Sequence, residues 1–394
     1  MKLICFECKS DYSDKSFQYQ CHCGGLFQVV HDFKAVDSEK LRRMFAERLS
    51  QRMSMHASGV WRYKELIYPE LPEAFVTTKY EGNTGLYASE SLQAYTGVRQ
   101  VWLKAQSENP SGSFKDNGMT VAVSHARSLG KQKLACSSTG NTSSSLAMYA
   151  ALAGCKAYVY VPERQVSENK IKQTLAYGAE IIRIAGTYDD GIRFLEQNYE
   201  ELGLYVCNSI NPWRIEGQKS MIYEAAQSLN WKIPDWIIVP GGALSNAVSL
   251  GKGLNDLYML GFIDHLPKVA VVQAEGASPF HRMIEGNHPT LIPELQPQTI
   301  ASAMNIGNLP SWRKAQAMLS QTKGVTVSVT DEEILAAKQL IDRSGIGCEP
   351  ASAATVAGLR KLTASLIIDP DETALCVLTG HILKDFASFL DYDN

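Results

Sequence analysis

The chain has 394 residues, of which 45% are hydrophobic and 20% are charged, and its formal net charge is −3. This composition is ordinary for a globular protein and excludes a disordered chain. The nearly balanced charge excludes the broad basic surface of a general nucleic-acid or anionic-membrane binder, so we expect neither partner. A chain of this length usually divides into about two or three domains.

The N-terminal segment carries no basic region followed by an apolar stretch, so we expect no signal peptide. No apolar run is long enough to span a bilayer. The chain has 9 cysteines, and without a signal peptide their thiols are expected to stay reduced. The sequence therefore predicts a cytoplasmic protein whose cysteines bind metal or lie free in the core.

Hydrophobic patterning predicts an α/β fold. In chain order, the predicted elements are a helical segment over 36–66, a strand over 133–137, a helix over 142–153, a strand over 157–161, a helix around 168–177, and strands over 180–184, 236–239, 269–272 and 374–378. Thr330 and Glu333 form a predicted capping box before a helix that ends near Gly345. Continuous apolar strands followed by glycine and a helix are typical of parallel sheets, which bind ligands at their carboxyl ends.

Four cysteines lie close together near the N-terminus. Cys5 and Cys8 are separated by two residues, and Cys21 and Cys23 by one. Four thiolates satisfy tetrahedral zinc, so we expect a structural zinc site. The second spacer is tighter than usual and contains His22, so two alternatives stay open: a metal-free remnant of a ribbon, or a site in which His22 replaces one cysteine.

Lys115 follows a polar loop, residues 109–114, and precedes a helical run over 119–127. The positive end of a helix dipole favours a neutral amine, and a neutral amine is the form that attacks an aldehyde. The alternative is an exposed loop lysine, since most lysines are solvated.

Two further segments have the residue types of anion sites. Ser138 and Thr142 lie in a run of hydroxyl residues between a strand and a helix, where hydroxyl and N–H groups bind carboxylate or phosphate. The loop 241–246 follows a strand with two glycines and precedes a helix, which suits phosphate. The alternatives are a helix cap for the first segment and turn geometry for the second.

Two more segments carry candidate ligand residues. Asn208 and Ser209 precede Arg214, whose guanidinium would bind phosphate through two parallel bonds. The alternative there is a helix cap with a surface arginine. Thr379 ends a buried strand, so its hydroxyl would point into the crevice where a ligand lies.

These segments, in this order, resemble the threonine synthase family, pyridoxal-phosphate enzymes of fold type II, in the form with a cysteine-containing N-terminal extension. The resemblance covers essentially the whole chain, and its most specific run is 208–219. The other segments that carry it are Trp61–Tyr63, Tyr80–Thr84, the Ser-Phe-Lys-Asp loop at 113–116, Ser-Thr-Gly-Asn at 138–141, Pro-Asp-Trp at 234–236, Glu-Pro-Ala-Ser at 349–352 and Thr-Gly-His at 379–381.

The resemblance implies two parallel-sheet α/β domains with the cofactor between them and a small zinc-ribbon-like head. The implied boundaries are 1–35 for the head, 36–110 with 226–394 for the large domain, and 111–225 for the small domain. A homodimer is also expected.

The resemblance further implies the role of each site residue. Lys115 would hold pyridoxal phosphate covalently, Asn141 would bind its phenolic oxygen, and Thr379 would face its pyridine nitrogen. The cofactor phosphate would be held by Gly241, Gly242, Ala243, Leu244, Ser245 and Asn246. The carboxylate or phosphate of the substrate would meet Ser138 and Thr142, and the substrate phosphate would meet Asn208, Ser209 and Arg214.

Four positions depart from the family pattern. Ala243 and Ser245 stand where the phosphate loop usually has asparagine and glycine, and Ser245 is unfavourable if that position requires a positive φ. Ile382 stands where glycine is usual and would add bulk beside Thr379, and Asn117 stands where many relatives have arginine. These changes favour an altered substrate.

The implied activity is a lyase that converts O-phospho-L-homoserine and water into L-threonine and phosphate. The alternative enzyme would perform β-elimination or β-replacement on another phosphorylated amino acid, for example phosphoserine and sulfite to cysteate. A third reading is a non-catalytic regulatory relative that acts through its cysteine-rich head.

Overall fold

The computed structural model describes residues 1–16, 18–34, 36–163, 168–186 and 188–385. The chain forms two compact units. Unit 1 comprises Met1–Asn83 and Lys115–Ser220, and unit 2 comprises Thr84–Phe114 and Met221–Asn394. Within the described ranges, no helix has both the length and the hydropathy needed to cross a membrane.

The strands are β1 (Lys2–Cys5), β2 (Asp11–Tyr12), β3 (Phe27–Val30), β4 (Leu86–Ala88), β5 (Gln100–Ala105), β6 (Lys133–Ser137), β7 (Lys156–Pro162), β8 (Glu180–Ile184), β9 (Tyr205–Val206), β10 (Trp236–Pro240), β11 (Lys268–Ala274), β12 (Val325–Val329) and β13 (Thr373–Leu378).

The helices are α1 (Ser38–Arg48), α2 (Lys64–Ile67), α3 (Glu90–Thr96), α4 (Lys115–Ser128), α5 (Asn141–Ala153), α6 (Glu168–Ala176), α7 (Tyr188–Asn198), α8 (Pro212–Gln218), α9 (Ser220–Ser228), α10 (Ser245–Met259), α11 (Pro279–Glu285), α12 (Trp312–Thr322), α13 (Asp331–Arg343) and α14 (Pro350–Ala364).

Unit 1 contains two sheets. Strands β2, β1 and β3 form a small antiparallel sheet in residues 1–34, the segment called the head below. A parallel sheet has the strand order β8-β7-β6-β9. Tyr19 of the head lies in the same buried cluster as Val206 and Ile210, and its hydroxyl accepts a bond from the Val206 N–H. The head therefore packs on the β9 edge of this sheet.

Unit 2 is built on a larger sheet with the order β12-β11-β10-β13-β5-β4. Its strands are parallel except for the edge strand β4, which is antiparallel to β5. The central strands are buried along their length, as the continuous apolar runs predicted. Helix α14 packs on this sheet and contributes many small buried residues to the core.

The predicted fold class is confirmed, because both large sheets are parallel, apart from the edge strand β4, and their strands alternate with helices. The strand predicted over 133–137 and the strand predicted over 180–184 have those bounds in the structure. The capping box before α13 is also present, with Thr330 accepting from the Glu333 N–H and the Glu333 carboxylate accepting from the Thr330 N–H.

The two units divide the chain differently from the expected domains. Residues 36–83 pack in unit 1, whereas we expected 36–110 to join 226–394. The difference has a physical reason in buried polar contacts. The Trp61 indole donates to the Thr120 hydroxyl in α4, and the Lys219 ammonium donates to the Leu66 carbonyl. The segment before Asn83 is therefore fastened to the helices of unit 1.

Candidate functional site

The four N-terminal cysteines converge in the head, as their pairing predicted. Their sulfur atoms all lie within 4.8 Å of one another. The Cys5 and Cys23 sulfurs are 3.5 Å apart, as are those of Cys8 and Cys21. Four thiolates around one zinc lie about 3.8 Å apart when each Zn–S bond is about 2.3 Å. The cluster therefore has the ligand type and nearly the spacing of a tetrahedral zinc site.

His22 lies beside the four converging sulfur atoms and is not one of that group. Its Nδ1 lies 3.0 Å from the Tyr12 hydroxyl and 3.4 Å from the Cys21 sulfur, so the ring is engaged beside the cluster. A hydrogen bond to the Ser10 hydroxyl lowers the pKa of Cys8 to about 6, which favours the thiolate that metals bind.

Lys115 is the first residue of α4, whereas the helical pattern had predicted a start near Met119. Its side chain is half-buried. The next residue, Asp116, is fully buried and accepts a 2.5 Å hydrogen bond from the Ser145 hydroxyl of α5. The first turn of α4 is thereby fixed against α5, which places Lys115 on a rigid element.

The loop after β6 carries Ser138, and α5 begins with Asn141 and Thr142; all three side chains are half-buried. The Ser138 hydroxyl accepts from the Gly140 N–H at 3.2 Å. The hydroxyl of Ser138 thus shapes the loop in addition to being available at the carboxyl end of β6, where the sequence predicted a ligand site.

Asn208 is bound to the end of β6 by both halves of its amide. The amide nitrogen donates to the Ser137 carbonyl and the amide oxygen accepts from the Ser137 N–H, each at 3.0 Å. The side chain of Asn208, which was expected to contact a substrate phosphate, is therefore engaged with backbone. Ser209, the next residue, is half-buried.

Arg214 is a buried cation, which excludes the surface arginine that was its alternative. Its residue is 2% exposed, and its Nη1 donates to the Cys207 carbonyl at 2.9 Å. Burial raises the pKa of Cys136 to about 12, and the Arg214 charge acts against that rise. Cys136 directly precedes Ser137, so the guanidinium lies beside the end of β6.

Helices α4 and α8 pack through glycine. A Cβ atom on Gly217 would lie 1.9 Å from the Asn117 carbonyl oxygen, and one on Gly118 would lie 2.7 Å from the Arg214 carbonyl oxygen. This backbone contact fixes α8 against the helix that begins at Lys115. The Asn117 amide also donates to the Ser220 hydroxyl at 2.8 Å, which gives this family departure a packing role.

The loop 241–246 of unit 2 follows β10, and α10 begins at Ser245. The left-handed residue is Leu244, with φ 65°, so Ser245 carries no backbone strain. The Gly241 N–H donates to the Val272 carbonyl at 2.7 Å, so this N–H continues the hydrogen bonding between β10 and β11. Asn246 is 5% exposed, yet neither atom of its amide meets a partner among the described residues.

Thr379 follows β13, the neighbour of β10 in the sheet, so it lies at the same carboxyl edge as the loop 241–246. The Ser352 hydroxyl oxygen accepts from the N–H groups of Thr379 and Gly380, at 2.8 and 3.0 Å. A hydroxyl has one hydrogen and accepts two bonds, so Ser352 directs its own hydrogen to the Thr379 oxygen, 3.0 Å away.

Glu349 completes this arrangement. The Thr379 hydroxyl donates to its carboxylate at 3.2 Å. A Cβ atom on Gly380 would lie 2.2 Å from the Glu349 carboxyl carbon, so only glycine leaves room for that carboxylate. The sequence motif that contains Glu349 and Ser352 had no predicted role for either residue; the available signal was a pair of polar residues at the start of an otherwise small and apolar helix, α14.

The loop before Lys115 is joined to the segment after β13. The Phe114 N–H donates to the Thr379 carbonyl, and the His381 N–H donates to the Gly112 carbonyl, both at 2.9 Å. Ile382 packs beside Gly347, where a Cβ atom would lie 3.3 Å from the Ile382 side chain. The bulk of Ile382, which was expected beside Thr379, is directed toward Gly347.

Comparison with known proteins agrees with these motifs. Residues 77–380 match the family described as pyridoxal-phosphate dependent enzyme. The threonine synthase of Methanosarcina acetivorans is 41% identical over 393 residues, which cover 99% of this chain and 93% of that protein. The threonine synthase of Methanocaldococcus jannaschii is 40% identical over 382 residues, which cover 97% and 92%.

Among solved structures, the processed form of threonine deaminase isoform 2 from Solanum lycopersicum has a TM-score of 0.68 at 19% identity, over 92% of this chain and 94% of that one. That likeness shows the fold, and it confirms the expected fold type II. The family match and the two relatives, each aligned over nearly the whole chain, confirm the resemblance. The chain belongs to the pyridoxal-phosphate dependent enzymes and, within them, to the threonine synthase family.

Proposed function

We propose that this chain converts O-phospho-L-homoserine and water into L-threonine and phosphate, with pyridoxal phosphate as its cofactor. The observation that carries the proposal is the extent of the likeness: relatives named threonine synthase align at 40 and 41% identity over 97 and 99% of the chain. The predicted motifs all lie within that alignment, since it covers nearly every residue.

The loop 241–246 fits the phosphate of the cofactor. The first N–H groups of α10 have no partner within the helix, and the helix dipole favours an anion there. The buried amide of Asn246 has no partner among the described residues and would donate to a phosphate oxygen. Ala243 and Leu244 would contribute backbone N–H groups, so the Ala243 departure is compatible with binding.

Thr379 fits the pyridine nitrogen. Its hydroxyl carries a hydrogen that it now donates to Glu349, because Ser352 supplies the hydrogen on its other side. The same hydroxyl would donate to the ring nitrogen of the cofactor. Pyridoxal phosphate, when bound, supplies a conjugated ring that withdraws electrons from the α-carbon of an amino acid.

Lys115 would hold the aldehyde carbon of the cofactor and, once displaced by the substrate amine, act as a base. Its Nζ would take the α-proton and return protons at later steps, as general acid–base catalysis requires. Asn141 would donate to the phenolic oxygen. The bond between Asp116 and Ser145 keeps α4 fixed, so that Nζ works from a rigid helix.

Arg214 would stabilise the phosphate of the substrate, which leaves from Cγ. A buried guanidinium stabilises an anion more strongly than a surface guanidinium does, since less water screens its charge. Ser138, Thr142 and Ser209 would add hydroxyl or N–H donors at the same end of the sheet. Asn208 would contribute mainly by holding the β6 end in place, because its amide is already bound to Ser137.

The zinc site is a further part of the proposal. The four cysteine sulfurs lie within 4.8 Å of one another, which supports one zinc per chain. The nine cysteines form no disulfide in the described structure, and the location that we propose is the cytoplasm, where thiols stay reduced. The expected homodimer would be tested by light scattering.

The substrate is tested by phosphate release. Purified protein is incubated with O-phospho-L-homoserine, and separately with O-phosphoserine with and without sulfite. We expect phosphate and L-threonine from O-phospho-L-homoserine, with a kcat/KM at least about a hundredfold above that for O-phosphoserine. Cysteate formed from phosphoserine and sulfite would replace this proposal with the alternative reaction.

A further inference from the structure

Three buried titratable side chains join the head to α8. The His31 Nε2 lies 2.6 Å from Oε2 of Glu216, and the Lys219 ammonium lies 2.7 Å from the same oxygen. The His31 side chain is 3% exposed, and the other two are 0% exposed. His31 directly follows β3, whereas Glu216 lies in α8 and Lys219 caps it, so the contact crosses from the head to the helix.

The hydrogen positions follow from the chemistry of the partners. A carboxylate oxygen only accepts, so the His31 Nε2 carries a hydrogen and donates it to Glu216. Lys219 uses another of its hydrogens on the Leu66 carbonyl at 2.8 Å. The His31 ring also stacks on Phe33, with centroids 5.4 Å apart and an interplanar angle of 2°, which fixes the direction of its Nε2.

Stability alone gives a weak reason for such a network. Buried ion pairs lose the hydration of both charges, and well-packed apolar residues of the same volume often serve stability equally well. A charged hydrogen-bonded network has stricter geometry than apolar packing, because each partner must meet a particular atom in a particular direction. The network is therefore suited to fixing the rotation of α8 about its axis.

Helix α8 also carries Arg214, two residues before Glu216. Residues two apart differ by about 200° around a helix, so these side chains leave on opposite sides. Glu216 reaches the head, while Arg214 reaches the Cys207 carbonyl near the end of β6. Any rotation of α8 that brought Glu216 out of reach of His31 would move the Arg214 guanidinium as well.

Trp213 and Gly217 of this helix make further packing contacts. The Trp213 ring stacks on Tyr68 and on His125, with centroids 4.4 and 4.3 Å away. Gly217 meets the backbone of α4 at Asn117. These contacts set the distance of α8 from its neighbours. Strand β3 of the head also packs on α8, and His31 adds a hydrogen bond from the head to Glu216.

We infer that His31 is a positioning residue for the phosphate-binding side of the site: through Glu216 it holds Arg214 in place, and the head thereby takes part in substrate recognition. The inference rests on the proposed role of Arg214 toward the substrate phosphate. It assigns the head a function beyond metal binding.

The test compares three variants as full-length holoenzyme. His31→Phe keeps the ring and its stacking on Phe33 but removes the donor, and His31→Gln restores a donor near the position of Nε2. Asp32→Leu is the matched control, because Asp32 is the exposed neighbour of His31 and its carboxylate accepts a bond from the Lys34 N–H. Zinc content and the visible cofactor spectrum are measured for each.

For His31→Phe we expect KM for O-phospho-L-homoserine to rise about tenfold, the effect typical of losing a group that orients a binding residue. We expect kcat, zinc content and cofactor spectrum to stay near the wild-type values. His31→Gln should recover most of the wild-type KM, and Asp32→Leu should match wild type. An unchanged KM in His31→Phe would overturn the inference, and so would an equal rise in His31→Gln.

A second measurement separates this inference from the proposed function. The dissociation constant of inorganic phosphate is measured by calorimetry for wild type and each variant. We expect it to rise about tenfold in His31→Phe, whether or not the wild-type enzyme makes threonine. If His31→Phe is not recovered as folded protein, Glu216→Met takes its place with the same expectations, because it keeps the side-chain length and removes the oxygen that accepts from His31 and Lys219. Equal phosphate affinity in wild type and variant would refute the positioning role.

Discussion

The side-chain amide of Asn208 pairs with the backbone of Ser137, the last residue of β6. It accepts from the Ser137 N–H and donates to the Ser137 carbonyl, as a neighbouring strand would. The two residues are 71 positions apart in the sequence. This pairing holds the segment that leads to Arg214 against the segment that leads to Ser138. This amide therefore reinforces the pairing of β6 with β9, which sets the relative position of the two predicted phosphate-binding segments.

Asn208→Asp tests that dependence. The carboxylate still accepts from the Ser137 N–H, but its other oxygen faces the Ser137 carbonyl, so one bond is replaced by repulsion. We expect kcat/KM to fall about tenfold or more, since a lost buried hydrogen bond costs about 1–3 kcal/mol. Asn198→Asp is the control, because the Asn198 amide donates to the Phe194 carbonyl at an exposed site. Equal activity of both variants would mean that Asn208 is not needed for the site.

Lys115→Ala tests the proposed covalent anchor. We expect the variant to fold and to lose the visible absorbance of cofactor bound through a lysine, because Lys115 begins α4 with a half-buried side chain outside the core. Borohydride reduction followed by peptide mass spectrometry locates the modified lysine in wild type. A cofactor adduct that persists in the variant would assign the anchor to another lysine.

Arg214→Leu tests the phosphate contact. We expect KM for phosphorylated substrate to rise roughly ten- to a hundredfold, because a charge-assisted bond to phosphate contributes about 1.5–3 kcal/mol. Cofactor affinity should change far less. Arg193→Leu is the control, since the Arg193 side chain is 61% exposed. An unchanged kcat/KM in Arg214→Leu would show that the buried guanidinium only supports the fold.

Metal analysis tests the head. We expect about one zinc per chain, lost in Cys5→Ser, because four thiolates form a closed tetrahedral site. The cofactor spectrum should survive the loss of zinc, since the spectrum depends on Lys115 and the ligands are far from it in sequence. KM for substrate should rise, because a loosened head no longer presents His31 to Glu216. A zinc-free protein with an ordered head would identify the cysteines as packing residues.

Acid stability tests the burial of His125. Burial lowers the pKa of His125 to about 4 from its ordinary value of 6.5. Between pH 6.5 and pH 4 the unfolded chain binds a proton that the folded chain does not. The free energy of unfolding therefore falls as the pH decreases, by about 3 kcal/mol over the whole interval. We expect the urea concentration at the midpoint of unfolding to fall as the pH is lowered from about 6.5 to about 4. In His125→Gln this midpoint should fall less. An equal fall in both proteins would assign it to other groups.

The sequence predicted the elements whose signal is local. Strand β6 and strand β8 were predicted at their observed bounds because each is a short β-branched or apolar run between turns. The capping box of α13 was predicted because Thr330 and Glu333 are close in sequence. The cysteine cluster was likewise predicted from local sequence, since four cysteines in two closely spaced pairs are typical of a zinc site.

The contacts that arrange the site depend on residues far apart in the chain. Glu216 and Lys219 read as an ordinary surface pair three residues apart on a helix, and nothing nearby indicates that His31 lies against them, 185 positions away from Glu216. Ser352 and Thr379 are brought together only when α14 packs on its sheet. Such pairings follow from tertiary packing, which no local pattern encodes.

The positive φ in the loop 241–246 shows the same limit on a smaller scale. We expected strain at Ser245 if the position usually held by glycine required a left-handed residue. The structure places that conformation at Leu244 and starts α10 at Ser245, so the departure from the family pattern costs little. Which residue of a tight turn takes the positive φ depends on how the following helix is docked.

The most direct test of the proposed activity is the identity of the product formed in heavy-oxygen water. The purified holoenzyme is incubated with O-phospho-L-homoserine in that water, and the amino acids are separated and weighed by mass spectrometry. We expect L-threonine that carries one heavy oxygen on its side chain, together with one unlabelled phosphate for each threonine, because Cγ–O cleavage releases the phosphate with its own oxygens and water adds at Cβ. A 2-oxo acid with ammonia in place of threonine, or labelled phosphate with homoserine, would contradict it.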